Sequence, residues 1–438
     1  MPVKNIPVYD VIIVGGGIAG FHMARKCVQD GLNILLLEKE DRYGGRIDTK
    51  YKKGPDHDLQ YECGPARISW HHTKSLALIK EFKLPTATLQ PFKKHRYINP
   101  SNGSVSILKD VSQELTNKVL MTVHGDPQKY NELYLQSIDF RTLCSSILGD
   151  TDGTALQAMF GYDAEFKYCN ANDAVRMFKR DFQEVGTYVV VPSGLSSLIN
   201  AIEKDIAGRG ATFLKSITVT NFSYSSLEKV ATVQSIGGDI YQGRSIVWAV
   251  PQKALREISG WTLEQRKLFD TVTPISLHRI FCQFPYDKNT GKSWVSNLER
   301  TTTNDALRQC IPMASDKGFV QFYNDSYYAD YWNHYFKLGT LHKELLIHLR
   351  IVFPDMTTID PKYIDSQYWK EGVHMWRPGV NSTKINKYIQ HIGGNTPIYI
   401  VGEAYSMHQC WIEGALETAD EVFKMLKNDL DHKVIWQK

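Results

Sequence analysis

The chain has 438 residues and sets 51 Lys and Arg against 47 Asp and Glu, a formal charge of +4. That length exceeds one ordinary domain of roughly 100 to 200 residues, so intertwined domains with a ligand crevice between them are expected. With no long basic run and no basic amphipathic helix, the near-neutral balance argues against nucleic acid as a partner.

Cysteines stand at 27, 63, 144, 169, 282, 310 and 410, and no pair has C-x-x-C spacing. Scattered and odd in number, they fit free thiols in a reducing compartment and suggest neither a disulfide scaffold nor a metal site. No apolar stretch reaches the roughly 18 residues of a membrane span. The first apolar run lacks the basic flank of a signal peptide, so the expectation is a soluble protein, cytoplasmic or otherwise intracellular, with no membrane partner.

From the N-terminus, Tyr9 to Val14 is a near-continuous apolar run, the pattern of a parallel strand buried on both faces. It leads into Gly15, Gly17 and Gly20 with G-x-G-x-x-G spacing. The first glycine permits a tight turn, the second lets the backbone approach a pyrophosphate, and the third lets helix and strand pack closely. From Ile18 to Val28 the apolar positions take helical spacing, and Gly31 stands where that helix would end. Free N–H groups at its start, around Ile18 and Ala19, offer a positive dipole end to phosphates. A second buried strand, Ile34 to Leu37, closes on Glu38, eighteen residues after Gly20 and placed to accept hydrogen bonds from a ribose, with Lys39 beside it. This unit predicts a bound dinucleotide. In Gly44-Gly45-Arg46, two glycines let the chain pass close to a ligand, and a fixed guanidinium suits a phosphate.

Between about 110 and 180 the pattern is helical and polar, notably Tyr130 to Leu148 and Ala171 to Phe182, as expected of the helical part of a substrate domain. Val189 to Gly194 then leads into a helix through about Lys204. Strand-like stretches follow at Ser216 to Phe222, Val230 to Ile236 and Ile246 to Val250. Residues 319 to 338 are rich in aromatics, readable as core or as pocket wall. A linker is expected at 379 to 396. A last strand, Ile398 to Val401, precedes a helix whose apolar face is Ala415, Ala419, Val422 and Leu426.

Five motifs, in this order, resemble those of the flavin-dependent amine oxidase family. They are the acidic residue followed by Gly44-Gly45-Arg46; Tyr61-Glu62-Cys63-Gly64-Pro65-Ala66-Arg67-Ile68; Val191-Pro192-Ser193-Gly194-Leu195-Ser196-Ser197-Leu198; Ile246-Val247-Trp248-Ala249-Val250-Pro251; and Val401-Gly402-Glu403 with Trp411-Ile412-Glu413-Gly414-Ala415. The resemblance implies FAD. Gly64, Pro65, Ala66 and Arg67 would pass the flavin ring, with Arg46 at a phosphate or the flavin edge. The strand around Val219 would bring a backbone amide and carbonyl to the adenine. Glu403, next to Gly402, would meet the phosphate-ribityl region, and the N-terminus of the last helix, around Trp411, Ile412 and Ala415, would face the flavin's pyrimidine carbonyl oxygen. A helix N-terminus there stabilises the negative charge of reduced flavin. No cysteine matches the one by which monoamine oxidases tether flavin, so the FAD is expected to be noncovalent.

Within the family, Gly64-Pro65-Ala66-Arg67 is closer to the L-amino-acid oxidases, where the matching arginine grips the substrate carboxylate. A planar two-pronged cation is the natural partner for that group. Phe322-Tyr323-Asn324 resembles the segment that supplies a tyrosine to the same carboxylate. Trp411 occupies the position of one aromatic wall of the family's substrate cage. His374 and Trp376 share one face of the segment that resembles the opposite wall, and which of them faces the flavin is open. Where the family commonly has a lysine near flavin N5, this chain has Arg279, which is essentially never deprotonated, so its role would be electrostatic or water-positioning. Asp325, two positions after Tyr323, would favour a substrate with a second amine if that face is the pocket.

The expected fold class is α/β: a Rossmann-like FAD-binding domain of the GR2 flavoprotein type from 1–88, 183–272 and 386–438, and a mixed α+β substrate-binding domain from 89–182 and 273–385. The expected reaction is hydride transfer from the carbon next to an amine to FAD, giving an imine that hydrolyses to a carbonyl compound and ammonia, with hydrogen peroxide formed from oxygen. An L-amino-acid substrate leads. The alternatives are a monoamine or polyamine oxidase, an amine dehydrogenase with another acceptor, and a non-catalytic flavin-binding protein. The expected partners are a small amine or amino acid and oxygen, and a homodimer is left open.

Overall fold

The computed structural model describes residues 6–90, 92, 94–182, 188–285, 289–290, 292–354 and 360–435. The first of two seven-stranded sheets is organised around Val8–Val14, and its order is Thr212–Leu214, Ile34–Leu37, Val8–Val14, Ile240–Trp248, Val230–Ser235, Val219–Ser225. Ile398–Ile400 pairs with the end of Ile240–Trp248. Pairing is parallel from Thr212–Leu214 across to Ile398–Ile400 and antiparallel in the meander Val219–Ser225, Val230–Ser235, Ile240–Trp248.

The unbroken apolar run of the first strand follows from burial on both faces. Val11 and Ile13 join the helices Ile18–Gln29, Ser196–Gly208 and Ile412–Ile435 in one core. Ile12 and Val14 point to a second core built with Trp248, Trp261, Trp376 and Tyr405.

The second sheet runs Tyr363–Trp376, Val272–Gln283, Phe319–Asp325, Gln309–Ala314, Arg300–Thr303, His95–Asn99, Ser104–Ile107. It is antiparallel except where Arg300–Thr303 pairs with His95–Asn99. The helices between Leu108–Gly125 and Ala171–Met177 pack their own core against Ile275 and Met375 of its long edge ribbon. We propose the division expected from sequence as the domain division, because the strands of the two sheets segregate along it, apart from Val272 at the boundary.

The stretch 379–396 is more than a linker. It holds the helix Ser382–Gln390, started by Asn381, whose side chain accepts the Lys384 N–H at 2.9 Å. Its inward face is largely polar, with Ser382, Asn386 and Gln390 buried beside Ile389, and this conceals the helical period. All seven cysteines are free thiols. Among the described residues no helix is long and apolar enough to cross a membrane, and no cluster of His, Cys, Asp or Glu could hold a metal.

The glycine turn shows why side chains are excluded from it. Gly15 has φ +111°, and a Cβ added at Gly20 would lie 2.0 Å from the Gly15 carbonyl oxygen. Replacing a helical glycine by alanine ordinarily stabilises by about 0.5–1 kcal/mol. Here the overlap reverses the sign: Gly20→Ala is expected to destabilise by about 1–3 kcal/mol, as overpacking does. Urea unfolding of both proteins checks this, and an unchanged or raised midpoint for the variant refutes it.

Candidate active site

The nucleotide end of the site is built from backbone. Glu38 is buried, and its two carboxylate oxygens accept the N–H groups of Gly16 (2.6 Å) and Glu40 (2.9 Å). The carboxylate therefore aligns with the glycine turn and retains lone pairs for a ribose. A Cβ added at Gly17 would meet nothing within 4 Å, so the turn is open where a pyrophosphate would approach. The second glycine loop lies against the first, with Gly44 donating to the Gly16 carbonyl at 2.8 Å. Ile217 donates to the Glu38 carbonyl at 2.8 Å, which carries the start of the Val219 strand to this end, while Lys39 is exposed. Tight turn, open middle glycine and oriented carboxylate fit a dinucleotide.

The next segments meet at a buried carboxylate. Glu403 accepts from Arg46 Nη1 at 2.6 Å, from His374 Nδ1 at 2.6 Å and from the Cys410 N–H at 3.1 Å. Arg46 also donates to the Gly372 carbonyl at 2.8 Å. Burial alone would raise the Glu403 pKa, but Arg46 and His374 hold it down to about 2. Burial opposes the charged form of His374 as well, and Glu403 together with Glu371 outweighs it, leaving the imidazole above its ordinary value. A Cβ on Gly64 would lie 1.8 Å from the Arg46 carbonyl oxygen, so the Gly64-Pro65-Ala66-Arg67 segment is pressed onto the arginine loop. At the start of the last helix Ile412 and Ala415 are buried, and Gly402 is open to its surroundings.

The other side of the site is aromatic and cationic. The Arg67 guanidinium lies 4.4 Å over the Tyr188 ring, which stacks at 15° on Trp411 with centroids 6.3 Å apart. Trp411 donates from Nε1 to Asp181 at 3.1 Å, and Asp181 is held by Arg180 at 2.9 Å. Tyr323 pairs across the sheet with Arg279, whose guanidinium lies 4.5 Å over the phenol and donates to the Glu62 carbonyl at 3.0 Å. Burial raises the Tyr323 pKa far above its ordinary value, so its hydroxyl stays a donor. Tyr162 meets Tyr323 edge-on at 5.3 Å.

Arg67 and Trp411 thus meet through Tyr188, and Arg279 and Tyr323 meet each other and Tyr162, which lies within the field of Arg67; Tyr188, Tyr162 and Asp181 carried no sequence motif. His374 and Trp376 do not wall this space. His374 lies fully buried on Glu403, and Trp376 is 1% exposed in the core against Tyr405, donating to the Ser406 carbonyl at 3.0 Å. Their shared strand face turns toward the first sheet. Asp325 is also turned away from the role expected of it: buried, it accepts the N–H groups of Asp163 (2.8 Å) and Ala164 (2.7 Å) and starts the π-helical turn Ala164–Tyr168.

A model of the flavin-containing amine oxidoreductase family matches residues 18–422, and the chain belongs to that family. Its members bind flavin and act on amines. An uncharacterised protein, R188 of Acanthamoeba polyphaga mimivirus, is 22% identical over 94% of this chain and 92% of its own length. A putative L-amino-acid oxidase, YobN of Bacillus subtilis (strain 168), is 37% identical over 17% of this chain and 16% of its own. Flavin-containing amine oxidase A of Sus scrofa is 36% identical over 18% of this chain and 14% of its own.

The Glu403 cluster has a defined pH signature. Because the folded pKa is depressed from 4.5 to about 2, its contribution to stability is complete above pH 4.5 and fades as pH falls toward 2. Glu403→Gln leaves Arg46 without its counter-charge and His374 with only the longer contact to Glu371 at 3.7 Å, a loss of about 3–5 kcal/mol for a broken buried pair. Calorimetric melting temperatures from pH 3 to 7 (roughly the window in which Glu403 titrates) should show the variant melting lower at pH 7 with a flatter acid limb; parallel curves would contradict the assignment.

Proposed function

We propose that the protein is an FAD-dependent oxidase of L-amino acids, holding the cofactor noncovalently. The observation that carries the reading is Arg67, a guanidinium positioned by the Tyr188 ring beside Trp411 and meeting no carboxylate among the described residues. A fork held in that way is prepared for an anion brought by the ligand. FAD, when bound, supplies the hydride acceptor.

The protein's own groups bind and orient. Glu38 and the open turn at Gly17 would hold the adenosine and pyrophosphate, with Ile18, Ala19, Gly44 and Gly45 alongside. Arg46, Glu403 and the start of the last helix would address the flavin end. Arg67 and the Tyr323 hydroxyl would take the substrate carboxylate, and Trp411, locked by Asp181, would confine the amine-bearing carbon and exclude water. No side chain has to remove a proton from carbon if the substrate binds as the neutral amine.

Arg67→Ala is expected to raise the KM for L-amino acids by roughly 100-fold, the scale of a lost bidentate charge-assisted contact, while amines without a carboxylate are unaffected. Steady-state peroxide release or anaerobic flavin bleaching measures this. An equal loss on both substrate classes would return Arg67 to a structural role and favour a monoamine or polyamine oxidase.

A second reading, an amine dehydrogenase, is favoured by Arg279, which is anchored on Glu62 and Tyr323 and cannot serve as a proton donor or acceptor. Admission of air after anaerobic bleaching separates the two. Recovery of the oxidised absorbance within seconds identifies an oxidase, and recovery that needs an added electron acceptor identifies a dehydrogenase.

A further inference from the structure

The face of the second sheet that presents Tyr323 and Arg279 continues to a third arginine. Thr302 is paired with Gln309, Gln309 with Tyr323 and Tyr323 with Arg279, so these four side chains share one face. Arg300 lies two positions before Thr302 and therefore on that face as well. It donates from Nη2 to Gln309 Oε1 at 2.8 Å, which aims the guanidinium along the row. Its Nε is buried with no hydrogen-bond partner among the described residues.

The charges around this row are unbalanced. Arg67 rests on Tyr188, Arg279 on Tyr323 and the Glu62 carbonyl, and Arg300 on Gln309 and Phe92; none of the three meets a carboxylate among the described residues. Tyr162, edge-on to Tyr323, lies within the field of all three. Burial and the charge of Arg67 both pull Arg300 below its ordinary guanidinium value, the mark of two cations near enough to repel. Arg279 is buried and Arg67 and Arg300 half-buried, and cations withdrawn from water without a counter-charge are costly. A single α-carboxylate bound by Arg67 and Tyr323 leaves Arg300 unmatched.

We propose that Arg300, oriented by Gln309, receives a second carboxylate, so that the substrate is an L-amino acid with an acidic side chain. The proposal rests on the amino-acid reading above and narrows it. A ligand with carboxylates at both ends satisfies two separated guanidiniums at once, and the tyrosines between them supply an apolar floor with hydroxyl donors.

Non-oxidisable ligands separate the two claims. Glutarate and butyrate, neither of which carries an amine, are titrated against the oxidised holoenzyme by perturbation of its visible flavin band. Glutarate is expected to bind wild type roughly 10- to 100-fold more tightly than butyrate, the scale of one added charge-assisted contact. Arg300→Gln is expected to erase that difference, and Arg300→Lys, which restores charge without the fork, to recover part of it. Equal affinities in wild type, or a preference that survives in Arg300→Gln, would overturn the proposal while butyrate binding leaves the amino-acid reading standing. Failure of wild type to bind either acid would overturn both. The wild-type comparison decides the matter even if a variant does not fold.

Discussion

A carboxylate taken out of water at the meeting point of three distant segments is the constraint on which this site depends. Desolvating Glu403 costs several kcal/mol, and the cost is offset only because Arg46, His374 and the Cys410 N–H reach it together. Arg46 and Glu403 are 357 positions apart, so the contact fixes the two ends of the chain against each other and against the long strand Tyr363–Trp376. The constraint is passed on by close packing. Gly64 touches the Arg46 carbonyl, so the position of the arginine loop dictates the path of the chain to Arg67. Glu413, buried in the last helix, takes the N–H groups of Lys74 and Ser75 at 2.8 and 2.9 Å, and so ties the following segment to the helix whose start holds Trp411.

What could be read from sequence was what the local backbone dictates. The glycine turn, its flanking strand and helix, and the position of Glu38 follow from φ, from close approach and from burial on two faces, all of them contained in a short window. Trp376 shows where that reasoning ends. Its sharing of a face with His374 follows from strand alternation, but whether that face meets a pocket or a core depends on the neighbouring sheet. Asp325 failed for a related reason: alternation placed it with Tyr323, yet the N–H groups of a helical turn some 160 positions away claimed its carboxylate. Arg300 and Tyr162 left no trace in sequence. Arg300 joins Tyr323 only through two successive strand registers, and Tyr162 arrives from the short connection between Asp150–Phe160 and Ala164–Tyr168, whose packing no periodicity encodes.

The second carboxylate in this site, Glu62, does a different job. It accepts from the Thr49 hydroxyl and from the Leu195 N–H at 2.8 Å, clamping the Gly194 turn to the Thr49 strand. Its backbone carbonyl meanwhile receives Arg279. One residue thus connects the cofactor-side turn to the cation that lies over Tyr323. A fixed guanidinium on a phenol face withdraws electron density from the ring and favours hydrogen-bond donation by the hydroxyl, which is what the carboxylate of the proposed substrate would require of Tyr323.

The same electrostatics bear on the amine. With Arg67 and Arg300 matched by the two carboxylates, a bound ammonium would still be repelled by Arg279, and a like charge shifts its equilibrium toward the neutral amine. Only the neutral form has the nitrogen lone pair that assists departure of hydride from the adjacent carbon. The Glu62 carboxylate, which interacts with Arg279, opposes this shift, while His72, Glu165 and Asp181 do not. Burial holds His72, packed on Trp411, down to about 4 and pushes Glu165 up to about 8, so both are largely neutral near pH 7 (roughly the cellular value), while Asp181 is already matched by Arg180. In the proposed reaction Arg67 and Arg300 therefore bind the carboxylates, Arg279 disfavours the ammonium form so that its proton is released to water, and no side chain is required as a base at carbon.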